Sequence, residues 1–127
     1  MARAAKSRAS IICQPQGKVL LVRKPEAKWT LPGGKIEADE NPLQAAQREL
    51  CEETGVAAEA LEFLALHEFA SRAHHVFRLS AVEPLDARPL SEIADCRWFA
   101  PEELPDKPVK RPCLELLRLY VATLTAE

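Results

Sequence analysis

The period of the apolar residues changes along the chain, and each change marks an element. "ASIIC" (9–13) and "KVLLVRK" (18–24) are apolar runs separated by "QPQG", a turn composition, and this predicts a hairpin of two strands. "KVLLVRK" is apolar at both alternating sets of positions, which predicts a central strand covered on both faces. After the loop "PEAK", "WTLPGG" predicts a short extended piece ending in Pro32 and two glycines, where backbone can come close to a ligand. A helix follows. Asn41 stands at the N-cap, Pro42 at the first helical position, Gln44 as capping-box partner, and Gly55 as a left-handed terminator. At 100° per residue, Leu43, Ala46 and Leu50 share an arc that anchors this helix to a sheet.

The second half repeats the order. "ALEFLALHEFA" and "HHVFRLSAV" have strand composition, with Phe77, Leu79 and Ala81 on one face of the second. "EPLDARPLSE" predicts a loop, "CRWFA" a short strand and "PEEL" a single helical turn. "RPCLELLRLYVATL" predicts a closing helix with Pro112 at its start and Leu114, Leu117, Val121 and Leu124 along one side. Strands, helix, strands, helix predicts an α/β fold, a sandwich whose helices cover a mixed or largely antiparallel sheet. With no repeat, low-complexity tract or linker, residues 1–127 read as one domain.

Composition narrows the function classes. At 47% hydrophobic and 28% charged, the 127-residue chain has the makings of a real core. A net charge of -2 argues against double-stranded nucleic acid, whose backbone calls for a basic excess. Cys13, Cys51, Cys96 and Cys113 are scattered without a CxxC pair, so neither a zinc site nor a disulfide framework is expected. The basic opening "MARAAKSRAS" leads into too short an apolar run for a signal peptide, and no later run is long enough for a membrane span. These readings predict a cytoplasmic protein with reduced thiols.

The candidate chemistry lies in "LPGGKIEADENPLQAAQRELCEETGV" (31–56). Glu49, Glu52 and Glu53 cluster near the end of the predicted helix. Like charges at this spacing cost about 0.2–0.5 kcal/mol per pair, and acids at a helix C-terminus cost roughly 0.3–1 kcal/mol each. A divalent cation would reverse both signs, and clustered hard oxygen ligands suit Mg2+ or Mn2+. A Glu-Glu pair alone is usually a solvated surface. Here Gly34, Glu40, Arg48, Glu49, Leu50, Glu52, Glu53, Gly55 and Val56 stand together at fixed spacing, a coincidence of order 10⁻⁷ at ordinary residue frequencies.

That pattern resembles the Nudix box (34–56), and the element order around it is similar to that of the Nudix (MutT-like) hydrolases. The resemblance implies a Nudix-like α/β/α sandwich with a mixed sheet. It also implies Mg2+- or Mn2+-dependent hydrolysis of a phosphoanhydride in a nucleoside diphosphate linked to another group. By position, Glu49 and Glu53 are the implied metal ligands, Glu52 a further or water-mediated ligand, and the Gly34 carbonyl another. Arg48 would orient a glutamate, and Glu40 would fix the loop against the helix. Glu49 is the first candidate for general base and Glu52 the second. Glu83, Glu92 or Asp95 would complete the metal site only if they are more than solvated loop acids.

Phosphate contacts are expected from Lys35 and Arg23, with the loop amides around Gly33, whereas Lys24 reads as surface. His67, His74 and His75 lack metal-ligand spacing and read as strand or rim residues. Trp29, Phe69, Phe77 and Tyr120 read as core before base-stacking groups. The loop "LPGGKIE" is similar to that of MutT-type nucleoside triphosphate pyrophosphohydrolases, which puts that class first. Dinucleoside polyphosphates and diphosphoinositol phosphates come next. A non-catalytic nucleotide-binding module stands against the retention of every box glutamate. The expected partner is a small nucleotide or other diphosphate, with no membrane and no duplex, and a homodimer is compatible with all of this.

Overall fold

The computed structural model describes residues 6–69, 71–80 and 85–121. In chain order these form β1 (Lys6–Cys13), β2 (Val19–Arg23), β3 (Gly33–Lys35), α1 (Pro42–Thr54), β4 (Glu62–Phe69), β5 (Arg72–Leu79), β6 (Asp95–Phe99) and α2 (Arg111–Tyr120), with short 3-10 turns at Pro15–Gly17 and Pro101–Asp106. β3, β1, β5 and β4 make a mixed sheet in that order, with β1 parallel to β5 and the other pairs antiparallel. β2 pairs antiparallel with β6.

The predicted hairpin is therefore corrected. β1 and β2 do not pair: the connector through the Pro15 turn carries the chain from one sheet to the other. Turn composition marks a reversal but does not choose the strand's partner. The other half of that expectation survives, because Val19–Val22 are buried on both faces and Val22 also bridges Thr30.

Alternation along these strands builds two cores. Ile12, Val19, Leu21, Val76 and Phe99 pack with Cys113, Leu116 and Leu117 of α2. Ala9, Ile11, Cys13, Leu20, Phe77 and Leu79 pack with Ala45, Ala46 and Leu50 of α1. Neighbouring residues point to opposite sides, which makes an α/β/α sandwich of strands between two helices. Each fully buried Leu or Ile contributes about 1.5–3 kcal/mol. Ala81, Glu83 and Leu124 lie outside the described residues.

α1 begins and ends as its sequence predicts. Asn41 Oδ1 accepts from the Gln44 N–H at 2.8 Å, the Asn41 N–H donates to Gln44 Oε1 at 2.9 Å, and Gly55 closes the helix at φ 77°. Its buried face needs a correction. Leu43, in the first turn, is 37% exposed, and the arc is centred on Ala46, Leu50 and Glu53. A carboxylate has taken the place in the buried arc that the pattern gave to leucine. On α2, Leu117 and Val121 are buried as expected, together with Cys113 and Leu116, while Leu114 is only partly covered.

Candidate active site

The loop from Trp29 to Lys35 positions the site. Trp29 is buried edge-on against Phe99, and its N–H and carbonyl bond Pro108 and Lys110, which ties the loop to the start of α2. Gly33 (φ 150°) then passes so close to β1 that a Cβ there would overlap the Ala9 carbonyl. At Gly34 a Cβ would overlap the Glu49 carboxylate. Both glycines thus allow β3 to lie directly under α1.

Glu53 is 7% exposed, and its Oε1 accepts the Gly33 N–H at 3.1 Å. Burial pushes its carboxyl up to about 7; the Gly33 N–H opposes that rise and nearby Glu49 adds to it. Burial also raises Glu49, with Arg48 working against the rise. Both shifts follow from desolvation of the charged form and from like charges placed side by side.

Arg48 relieves the rest of the cluster. Its Nε and Nη2 donate to the two Glu40 oxygens at 3.1 and 2.6 Å, Nη1 donates to Glu49 at 3.2 Å and Glu52 at 3.3 Å, and Nη2 also reaches the Lys35 carbonyl at 3.1 Å. The fork therefore clamps helix to loop. Hydrogen bonding to Arg48 holds Glu40 below the usual carboxylate range and raises the guanidinium. So part of the expected repulsion is answered within the sequence itself. Among the described residues Glu53 has no ion pair, whereas Glu49 and Glu52 share Arg48.

A cleft of about 300 Å³ brings together Gly33, Gly34, Lys35, Glu49, Glu53 and Arg23. Glu52 does not line it; its side chain is 54% exposed and turned to Arg48. Arg48 stands behind the cleft as a strut. Lys24 does line the cleft, against its surface reading, and pairs with Glu92 at 3.2 Å, which brings that acid to the rim. Asp95 lies 3.9 Å from Arg23, whose guanidinium stacks over Trp29 at 4.9 Å.

Three cleft cations escaped the sequence reading: Arg8, Lys28 and Lys110. Arg8 looked like part of a basic flank, yet in β1 it stands opposite Lys35 and feels both Glu49 and Glu53. Its signal was strand alternation, because Arg8, Ser10 and Ile12 share one face.

Among the described residues no three His, Cys, Asp or Glu side chains are gathered ready to hold a metal. The donors nonetheless fit a hard cation. Glu53 is a buried carboxylate with one neutral donor and no counter-charge, Glu49 lies against Gly34, and a Gly34 carbonyl would supply a further oxygen. Trp29 and Phe77 are core residues, and the Tyr120 hydroxyl is taken by His67 at 2.6 Å. Among the described residues no helix is long and apolar enough to cross a membrane.

Comparison with known proteins agrees with this geometry. Residues 4–117 match the NUDIX domain family model. The chain is 35% identical over 102 residues to the phosphatase NudJ of Escherichia coli K12, covering 73% of this chain and 67% of that protein. It superposes on a Nudix hydrolase from Nitrosomonas europaea with a TM-score of 0.81 at 29% identity, over 96% of this chain and 73% of that one. For the MutT Nudix hydrolase of Burkholderia pseudomallei the TM-score is 0.79 at 25% identity, over 93% and 99%. With its box on α1 and its sandwich fold, the chain belongs to the Nudix hydrolase family.

Proposed function

We propose that this chain hydrolyses a phosphoanhydride bond in a nucleoside diphosphate linked to another group, with nucleoside triphosphates, cleaved to release pyrophosphate, as the first substrate class. One observation carries the reading. The buried, unpaired Glu53 lies beside Glu49 in a cleft whose other walls carry Arg8, Arg23, Lys24, Lys28, Lys35 and Lys110. Acid on one side suits a cation, and cations on the other suit phosphate oxygens.

Glu49, Glu53 and the Gly34 carbonyl would hold Mg2+ or Mn2+, with Glu52 joining once it turns away from Arg48. When bound, such an ion supplies an activated water and offsets charge on the phosphoryl oxygens. Glu49, half-buried with a raised pKa, is suited to take a proton from that water. Arg48 keeps the Glu49 carboxylate oriented against Gly34. Lys35, Arg23 and the Gly33 segment hold the phosphates in line.

The name of the Escherichia coli relative favours a second reading, in which a terminal orthophosphate is released. A panel of nucleoside triphosphates, dinucleoside polyphosphates and other diphosphates, incubated with Mg2+ and followed by mass detection of both products, tests the proposal. Pyrophosphate with a nucleoside monophosphate supports the first reading, and orthophosphate supports the second. If no compound with a phosphoanhydride is cleaved in millimolar Mg2+ or Mn2+, hydrolysis is ruled out.

A further inference from the structure

A second cavity, of about 220 Å³, adjoins the cleft, and Arg8, Thr30, Leu31 and Lys110 line both. Its polar side is Arg8, Arg72, Lys110 and His74. No carboxylate lines it among the described residues, and none of those three cations forms a salt bridge there. Cations gathered without acids repel one another. Burial, and then Arg72, depress the Arg8 guanidinium.

The strands create this gathering. Lys35, Arg8, His74 and His67 are successive cross-strand partners on β3, β1, β5 and β4, so their side chains form one row on the face toward α2. His74 is 7% exposed, and its Nδ1 has no hydrogen-bond partner among the described residues. Burial together with Arg8 and Arg72 holds the imidazole down to about 4, so at neutral pH it is an uncharged ring with one N–H to donate. The opposite wall is the start of α2. Lys110 is its N-cap without a side-chain cap, and Pro112 and Cys113 of the first turn also line the cavity. That end of a helix carries partial positive charge.

We propose that this cavity is an anion subsite that receives a phosphate carried by the substrate beyond the anhydride that is cleaved. The inference rests on the hydrolase reading above and sharpens it: preferred substrates bear at least one phosphate more than the diphosphate core. Such a substrate would run from the Glu49–Glu53 edge past the shared Arg8 into the second cavity. The volume exceeds what one phosphate fills, and Leu31, Phe69 and Leu116 supply an apolar wall for the group that carries it. An anion there would relieve the mutual repulsion of Arg8 and Arg72 and give the orphaned His74 nitrogen a partner.

The test begins without turnover. Metal-free protein is titrated with inorganic phosphate while the His74 imidazole resonances are followed. Saturable shifts, weakened about tenfold in Arg72→Gln, are expected; His74 resonances indifferent to phosphate overturn the subsite. The hydrolase reading fails separately, if no phosphoanhydride is cleaved. With Mg2+ present, kcat/KM for a nucleoside triphosphate relative to the matching diphosphate should fall about tenfold in Arg72→Gln. It should hold steady in Arg118→Gln, an exposed charge in the last turn of α2. An unchanged ratio in Arg72→Gln overturns the assignment.

Discussion

The two helices cover opposite faces of the same strands and bury opposite chemistry. α2 buries Cys113, Leu116 and Leu117, all apolar in character, and its charges stay at its ends and outer side. α1 buries Ala45, Ala46 and Leu50, and then Glu53. Two alanines and a carboxylate remove far less apolar surface from water than leucines would, so α1 adheres less strongly than a helix of its length can. One helix serves cohesion, and the other gives up cohesion to hold a charge at the floor of a cleft. Substitutions on the two should therefore separate stability from turnover.

The largest separation is expected at Glu53. Glu53→Gln keeps the shape and a carbonyl for the Gly33 N–H but removes the anion. Under the proposed chemistry kcat falls about a thousandfold while the metal-free fold is no less stable. Steady-state rates with Mg2+ and urea unfolding without it check both halves. Turnover near the wild-type value in Glu53→Gln would remove this residue from the proposed metal site. The mirror experiment on α2 is Leu117→Ala, which empties a fully buried position and should cost about 2–5 kcal/mol in urea unfolding. Below the melting transition its kcat should stay within about twofold of wild type, since Leu117 lines neither cavity.

How far this contrast could be read beforehand depends on range. The capping box, the Gly55 terminator and the apolar arc of α2 are set by residues within a few positions of each other, and they match the sequence reading. The partner of β1 is set by contacts across the whole chain, and there the turn signal misled. In the site, Glu49, Glu53, Lys35, Arg23 and the two glycines meet in one cleft because they share a short loop and a helix. Arg8, Lys28 and Lys110 were missed because long-range pairing brings them in, Arg8 opposite Lys35 and Lys110 through the Trp29 carbonyl. Leu43 failed for a different reason: helical periodicity ranks hydrophobicity and cannot foresee a carboxylate held inside by the Gly33 N–H.

Acidity sharpens the comparison next. Glu53 is held up to about 7 from an ordinary 4.5, so the folded state binds more protons than the unfolded chain between those values. Its contribution to stability therefore falls as pH rises through that window and is level above it. The buried His74, held down to about 4 from 6.5, has the opposite slope in an overlapping window. The difference between wild type and Glu53→Gln isolates the carboxyl. Without metal, the variant should gain about 2–3 kcal/mol relative to wild type between pH 4.5 and 7, by chemical denaturation across that range. A parallel pair of pH curves would mean that Glu53 ionises as freely in the fold as outside it.

The smallest effect asks whether the acidic edge depends on the helix as a whole. Asn41 caps α1 at the end remote from Glu53, twelve residues away and so roughly 18 Å along the axis at about 1.5 Å per residue. Asn41→Ala leaves the N-terminal amides without their acceptor and breaks the reciprocal bond to Gln44, at a cost of about 1 kcal/mol. The last turn is secured separately, by Arg48 to the Lys35 carbonyl and by the loop amides of Arg88 and Leu90 on the Thr54 and Glu53 carbonyls. Fraying at the first turn should therefore stop short of Arg48. The expected result is a lower unfolding midpoint with kcat/KM unchanged within about twofold. A fall in kcat/KM larger than the stability loss explains would show that the carboxylates are held by the whole length of α1, against the clamp at its C-terminal end.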